Sequence, residues 1–235
     1  MSLKFGDNAM GYAVFLKINE ATHGRFENIR MQLNLGAEKS QSKALGNVLS
    51  EIACEIIEQV FAELLYQQKQ KNNEYAQKHA AESEKVIQQI LETMRKYMPW
   101  SVSFFSNERL TPLVNYFSDL LSEHNRQIYV RYELDSVLVQ EAFAYIEKVR
   151  EGQMSYVPKA FQLLTQIVDE GVTSLIRNPK KLLKFNLVVD KTLNGVINMT
   201  THLGYKRLEK LGEKIDSTTA NEYIEHFLMF MQKEA

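Results

Sequence analysis

The sequence predicts a mainly α-helical fold with a β-hairpin at its N-terminal end. Three observations lead to this prediction. Apolar residues recur at steps of three and four over most of the chain, which is the spacing of amphipathic helices. Only four prolines and ten glycines interrupt the 235 residues, and both residue types break helices. Before residue 40, apolar and polar residues instead alternate, which is typical of a half-buried strand.

The predicted hairpin consists of two strands joined by a polar turn. Residues 28–35 alternate strictly, with apolar side chains at the odd-numbered positions. Residues 12–18 are apolar on both faces and would form the first strand, with the turn at residues 19–24. The alternative is a helix over residues 26–35, but the strict alternation favours a strand.

About six to eight helices are predicted in the remainder of the chain. Residues 42–98 carry a long amphipathic pattern, which predicts either one very long helix or two helices that meet at Asn72–Asn73. Pro99 is expected to end this element, since the residue before a proline is disfavoured in a helix. Residues 128–132 are compatible with a strand or a helix. The final helix is predicted over Ala220–Lys233.

The predicted organisation is an N-terminal β-hairpin segment, residues 1–40, followed by a helical bundle domain, residues 41–235. No proline-rich or serine-rich linker separates the two parts, so we expect them to form one structural unit.

Composition and charge restrict the classes of protein and partner. A formal charge of −1 gives no overall attraction to polyanions, so nucleic acid is not expected as a partner. The single cysteine, Cys54, excludes an intramolecular disulfide and fits a reducing compartment. Apolar runs fall far short of the roughly 18 residues that a transmembrane helix needs, and no signal-peptide pattern is present. We therefore expect a cytoplasmic protein without a transmembrane segment.

Familiar catalytic and metal-binding motifs are absent from the sequence. There is no G-x-S-x-G, P-loop, G-x-G-x-x-G or H-E-x-x-H pattern. Glu20 and His23 form a single Glu-x-x-His pair, whereas a di-metal site in a helical bundle needs two such pairs. Glu222 and His226 lie four residues apart on the last helix, where an ordinary helical pair is expected. We therefore predict no catalytic residue, no metal ligand and no cofactor.

A basic segment and an aromatic segment are the candidate ligand-binding surfaces. Residues 177–214 contain nine basic and three acidic side chains. The basic residues at its start follow the spacing of one helix face, and such a helix start could bind a small anion such as a phosphate or carboxylate. A solvated charged face is the alternative. The candidate ligand-binding residues are Lys180, Lys181, Lys184 and Trp100.

Two apolar segments are candidates for self-association. Residues 12–18 lack the charges that usually protect a strand edge, apart from Lys17. Residues 227–231 are apolar on every side of a helix, so they require burial in the core, against a second subunit or against lipid. The candidate interface residues are Tyr12, Val14, Leu16, Phe227 and Phe230.

The sequence therefore predicts a non-catalytic helical interaction protein. We expect a homodimer that self-associates through the hairpin or through apolar helix faces, and a separate protein partner is also considered. The alternative is a helical bundle that binds a small apolar or anionic ligand, including an enzyme of an unfamiliar type.

Overall fold

The computed structural model of the protein describes residues 11–70, 74–213 and 215–234. It has a mainly α-helical fold with a small antiparallel sheet, which confirms the predicted fold class. The described residues form the α-helices α1 (Glu20–Asn34), α2 (Ser42–Gln70), α3 (Glu74–Val102), α4 (Asn107–Asp119), α5 (Ser136–Arg150), α6 (Val157–Val172), α7 (Asn178–Leu183), α8 (Leu187–Leu211) and α9 (Ser217–Leu228). The strands are β1 (Tyr12–Ile18), β2 (Leu121–His124), β3 (Gln127–Leu134) and β4 (Met231–Lys233), with a short 3₁₀ turn at Met154–Tyr156 and a π-helical segment at Thr173–Arg177.

The sheet is antiparallel and has the strand order β2–β3–β1–β4. Tyr12 of β1 pairs with Leu134 of β3 on one side and with Lys233 of β4 on the other. Val14 and Leu16 point to the face that the helices cover, and both are buried. The N-terminal strand is therefore the central strand, bonded to segments from the middle and from the end of the chain.

The predicted second strand of the N-terminal hairpin is wrong, because residues 28–35 belong to the end of α1 and to the turn that follows it. Asn19 begins this helix: its side-chain oxygen accepts a hydrogen bond from the Ala21 amide at 2.9 Å. Glu55 of α2 supports the same turn by accepting from the Asn19 amide at 2.8 Å. A carboxylate contributed by a distant helix thus stabilises the start of α1.

The strand-like pattern in α1 arises because Ile29 and Leu33 fit both the helical steps of three and four and the alternation of a strand. Phe26, Ile29 and Leu33 are buried and follow the helical steps of three and four. Met31 and Leu35 complete the alternating set, but they are 55% and 79% exposed. Two exposed apolar side chains therefore produced the appearance of a strand.

The sheet does contain a hairpin, formed by β2 and β3. Asn125 and Arg126 join the two strands with φ angles of 51° and 59°, which is the backbone of a two-residue hairpin turn. Asparagine tolerates this conformation, but the arginine replaces the glycine that usually signals it. Residues 128–132, which the sequence left open, are part of β3.

The described residues between 42 and 98 belong to two helices, α2 and α3, and the predicted junction at Asn72–Asn73 falls outside the described residues. The helices are antiparallel, as the Lys69–Glu84 ion pair of 2.9 Å near their junction shows. The prediction that Pro99 ends the second helix is wrong, since α3 continues to Val102. Packing of this last turn against the start of α2 stabilises the helix beyond the proline.

The last described helix, α9, ends earlier than predicted. Asp216 caps α9 by accepting a hydrogen bond from the Thr219 amide at 2.8 Å. The helix ends at Leu228, and the chain then turns so that Met231 begins β4 opposite Val14. The apolar residues 227–231 therefore belong to the end of α9, to the turn that follows it and to the start of β4. The predicted helix over residues 220–233 extends about one turn too far at its C-terminal end.

Gly46 is required by the close approach of α2 and α3. A Cβ atom at this position would lie 2.5 Å from Pro99 Cα and 2.6 Å from Val102 Cγ2. One of these neighbours is backbone, so the two helices would have to separate.

We expect Gly46→Ala to lower the free energy of unfolding by about 1–3 kcal/mol, because overpacking outweighs the better helix propensity of alanine. The control is Gly195→Ala in α8, where a Cβ would meet nothing within 4 Å. That change should raise stability by about 0.5–1 kcal/mol. Urea unfolding of both variants measures the difference, and equal stabilisation by both would contradict the packing argument.

Candidate functional site

A cavity of about 160 Å³ lies beneath the sheet, between α2, α3, α6 and α8. Its wall is built almost entirely of aliphatic, methionine and aromatic side chains, and none of the lining residues is charged. Representative lining residues are Ile52, Ile56, Val60, Met94, Val172 and Leu208. Such a space favours an apolar occupant, because it offers dispersion contacts and almost no hydrogen bonds.

A second cavity of about 80 Å³ adjoins the first and extends towards α7. Met94 and Phe117 line both cavities, so they form part of the wall between them. Lys180, Leu183 and Phe185 lie at the far end of the smaller cavity. A side-chain movement at the shared wall would join the two spaces.

Two glycines lie in the wall, and they have different roles: Gly171 lets the Tyr132 ring pack closely, whereas Gly204 leaves part of the volume empty. Gly171 lies against the ring of Tyr132, where a Cβ atom would come within 2.8 Å of the phenol oxygen. Gly204 of α8 also lines the cavity, but a Cβ there would be 3.6 Å from Ile90 Cδ1, an ordinary contact. A side chain at position 204 could therefore occupy the cavity, and its absence leaves the space open.

The cavity wall carries an unpaired hydroxyl group. Thr200 is 7% exposed, and its Oγ1 atom is buried without a hydrogen-bond partner among the described residues. Its neighbour Thr201 differs, because Thr201 Oγ1 donates to the Ile197 carbonyl at 2.9 Å. A buried hydroxyl without a partner is unfavourable, so Thr200 would gain from a polar atom on an occupant if its hydroxyl turned towards the cavity.

A polar cluster forms one end of the larger cavity. Tyr205 lines the cavity and donates its hydroxyl hydrogen to Asp169 Oδ1. Arg177, in the π-helical segment, lies 2.7 Å from the same carboxylate oxygen. Burial and the nearby negative charge of Asp169 raise the pKa of Tyr205, so its hydroxyl stays protonated at neutral pH. The cluster is satisfied internally and leaves Thr200 as the unpaired group.

The three predicted anion-binding lysines do not form one helix face. Lys180 is largely buried and bonds to Asp190, while the Lys181 ammonium is exposed and 3.4 Å from Asn178 Oδ1. Lys184 follows the end of α7 with a left-handed backbone, at φ 48°, so it leaves the helical row. Arg177 precedes this row and is paired with Asp169.

Trp100, the other candidate ligand-binding residue, lies near the smaller cavity without lining it. Its ring centroid is 6.0 Å from that of Tyr97, which does line the cavity, and 5.0 Å from that of Phe104. The tryptophan is therefore placed to report on changes at Tyr97.

The candidate interface residues mostly face the interior. Val14, Leu16 and Phe227 are buried in the core. Tyr12 is half-buried against the Phe143 ring, and Phe230 packs at the edge of the same cluster.

The two Glu/His pairs do not form a metal centre in the described part of the chain, where no group of three or more metal-ligating side chains occurs. Glu20 and His23 lie in the first turn of α1. His226 is buried and its Nε2 atom lies 2.8 Å from the Val60 carbonyl oxygen. In the described residues, no helix is both long enough and apolar enough to span a bilayer.

Three residues of the site were not predicted from the sequence, namely Thr200, Tyr205 and Asp169. One signal was present: α8 presents an apolar row at helical spacing that is interrupted by two adjacent threonines and Gly204. The pairing of Tyr205 with Asp169 joins two helices and leaves no trace in sequence spacing.

Comparisons with protein families, with curated proteins and with solved structures found no match to the chain.

We expect Thr200→Val to raise the free energy of unfolding of the ligand-free protein by about 1–2 kcal/mol, because it removes a buried hydroxyl without a partner. Thr165 provides the control, since it is also buried but its Oγ1 donates to the Phe161 carbonyl at 2.8 Å. Thr165→Val should leave stability unchanged or lower it by up to about 1 kcal/mol. Thermal and urea unfolding distinguish the two, and a destabilised Thr200→Val variant would mean that the hydroxyl is paired.

Proposed function

We propose that this protein binds a small, uncharged, mainly hydrocarbon molecule in the cavity beneath the sheet. The observation that carries the proposal is the cavity of about 160 Å³ whose lining is apolar and uncharged. Protein interiors are normally close-packed, so a space of this size is a candidate binding site.

The volume suits a compact ligand. An engineered cavity of roughly 150 Å³ in another protein, lined by similar side chains, stays dry and binds benzene. The larger cavity here is of comparable volume. A ligand about the size of one six-membered ring would therefore fill it, and a longer molecule would extend past Met94 into the smaller cavity.

The wall also restricts the chemistry of the ligand. A charged group would lose its hydration without gaining a countercharge, because the lining of the larger cavity carries no charge. A single carbonyl or hydroxyl oxygen could instead accept a hydrogen bond from Thr200 Oγ1, a buried atom that would have to turn towards the cavity. The favoured ligand is thus a neutral hydrocarbon skeleton with one oxygen.

The hypothesis of self-association through the N-terminal hairpin has less support. β1 is a less open edge than the sequence predicts, since β3 pairs with the whole of one side and β4 pairs with residues 12–14 on the other. Val14 and Leu16 face the core and have no exposed surface to offer a second subunit. Homodimer formation stays a prediction, but the argument from an unprotected β1 edge no longer favours it.

An anionic ligand at the predicted lysine row is also less well supported. Lys180 already bonds to Asp190, and Lys184 leaves the helix on which the row was predicted. Binding of an anion by this row would require Lys180 to exchange its partner.

Filling the cavity should abolish ligand binding. We expect Gly204→Leu to eliminate the binding of cyclohexane and cyclohexanone, because the new side chain would occupy the cavity. Gly195→Leu is the matched control, since position 195 lies on the same helix and is exposed. Each variant is titrated with each ligand, and binding is followed by the NMR chemical shifts of the cavity methyl groups and by the fluorescence of Trp100. Absence of saturable binding to the unmodified protein would contradict the proposal.

Removing the hydroxyl of Thr200 should change which ligand is preferred. Thr200→Val should weaken cyclohexanone binding by roughly 3- to 10-fold, the value of one neutral hydrogen bond. Cyclohexane, which has no oxygen, should bind as well as before or more tightly. Thr201→Val is the control, because that hydroxyl already bonds to Ile197. Equal weakening for both ligands would show that the hydroxyl does not recognise an oxygen.

A further inference from the structure

Residues 181–191, which we call the α7–α8 turn, run from the end of α7 to the start of α8 and expose apolar side chains that the fold leaves uncovered. Leu182, Leu187 and Val188 are 44%, 70% and 74% exposed. Their orientation is fixed by local structure: Asn186 caps α8 by accepting from the Val189 amide at 3.0 Å, and Val189 is buried. Because Val189 faces the core, the two preceding residues must face outwards.

Cationic side chains surround these apolar residues. Lys181, Lys184 and Lys191 are exposed, and none has an ion-pair partner among the described residues. Asp190 is the single acidic residue of segment 178–191, and it bonds to Lys180. The turn therefore carries uncompensated positive charge, although the chain as a whole has a charge of −1.

The backbone of the turn is held in place by a neighbouring helix. Arg109 of α4 donates hydrogen bonds to the carbonyl oxygens of Leu183 and Lys184, and its guanidinium lies 4.8 Å from the centre of the Phe105 ring. Phe105 in turn packs against Phe185, with ring centroids 5.0 Å apart. The exposed residues are thus presented by a fixed turn, and Arg109 adds a further positive charge to it.

We infer that this turn, residues 181–191, is a docking surface for a phospholipid bilayer that contains anionic lipids. Apolar side chains flanked by lysines match the headgroup region and the acyl region of one bilayer leaflet. The apolar groups enter the boundary of the acyl region, and the ammonium groups meet the lipid phosphates. The attraction between these lysines and the lipid phosphates does not require a ligand in the cavity. Lipid docking is therefore independent of the proposed function.

A bilayer suits this surface better than a protein partner does. A stable protein interface takes about 20–30 residues from each side, whereas the surface here consists of residues 181–191 with three exposed apolar side chains. Bilayer binding needs few residues, because each buried apolar side chain and each lysine near the lipid phosphates contributes separately. A second copy of the chain that docked through the same residues would also bring lysines against lysines.

The surface lies next to the smaller cavity. Leu183 and Phe185, which belong to the same turn, line that cavity. Docking through Leu187 and Val188 would therefore bring the smaller cavity close to the acyl chains of the bilayer.

Vesicle flotation tests this inference with the full chain. Vesicles of phosphatidylcholine and phosphatidylserine should bind the protein at low salt, vesicles of phosphatidylcholine alone should bind it far more weakly, and high salt should reduce the difference. The triple variant Lys181→Glu, Lys184→Glu, Lys191→Glu should weaken binding by about 100-fold or more. The double variant Leu187→Ser, Val188→Ser should weaken it by roughly 10- to 100-fold.

Matched controls separate a specific surface from general charge or hydrophobicity. Lys39→Glu, Lys43→Glu, Lys85→Glu makes the same change in net charge at exposed lysines elsewhere, and Leu35→Ser, Val137→Ser removes two exposed apolar side chains elsewhere. Both controls should bind vesicles as the unmodified protein does. The inference is overturned if anionic vesicles are not bound, or if the test and control variants behave alike. It is also overturned if light scattering shows a dimer that Leu187→Ser, Val188→Ser converts to a monomer.

Discussion

Backbone hydrogen bonds on both sides of β1 connect the beginning, the middle and the end of the chain. β3 pairs with all seven residues of β1, and β4 pairs with the first three. This pairing fixes which face of β1 the helices cover, because a slip by one residue would turn Val14 and Leu16 to the opposite face. The cavity depends on the same register, since Leu16 and Tyr132 form the part of its wall that the sheet contributes. The position of the site thus follows from strand pairing.

The cavity links ligand binding to stability. An unfilled space in a packed core costs about 24 cal/mol per Å³, which for a volume of about 160 Å³ amounts to roughly 4 kcal/mol. A natural occupant would recover part of this free energy and would stabilise the folded state by mass action. Gly204 helps to keep the space open, and none of residues 181–191 lines the larger cavity. The proposed site in the larger cavity and the proposed lipid surface therefore have no residue in common.

The sequence predicts helices well where a cap and an apolar stripe agree, as at Asp216 and Thr219 at the start of α9. It fails where one pattern satisfies two periodicities, as in residues 28–35, because exposure of Met31 and Leu35 is decided by distant packing. The cavity could not be predicted, since its lining residues lie on separate elements and each resembles an ordinary core residue in its own helix. The spacing of Lys180, Lys181 and Lys184 predicts one helix face. It does not reveal that α7 ends before Lys184, whose left-handed backbone takes it out of the row.

The place of β4 in the sheet has a consequence for synthesis of the protein. Residues 231–233 leave the ribosome after all the helices and the other strands, so one side of β1 has no partner during translation. During that interval an apolar strand with open amide and carbonyl groups is available to other nascent chains. This side of β1 stays open until residues 231–233 have been synthesised and have paired with it.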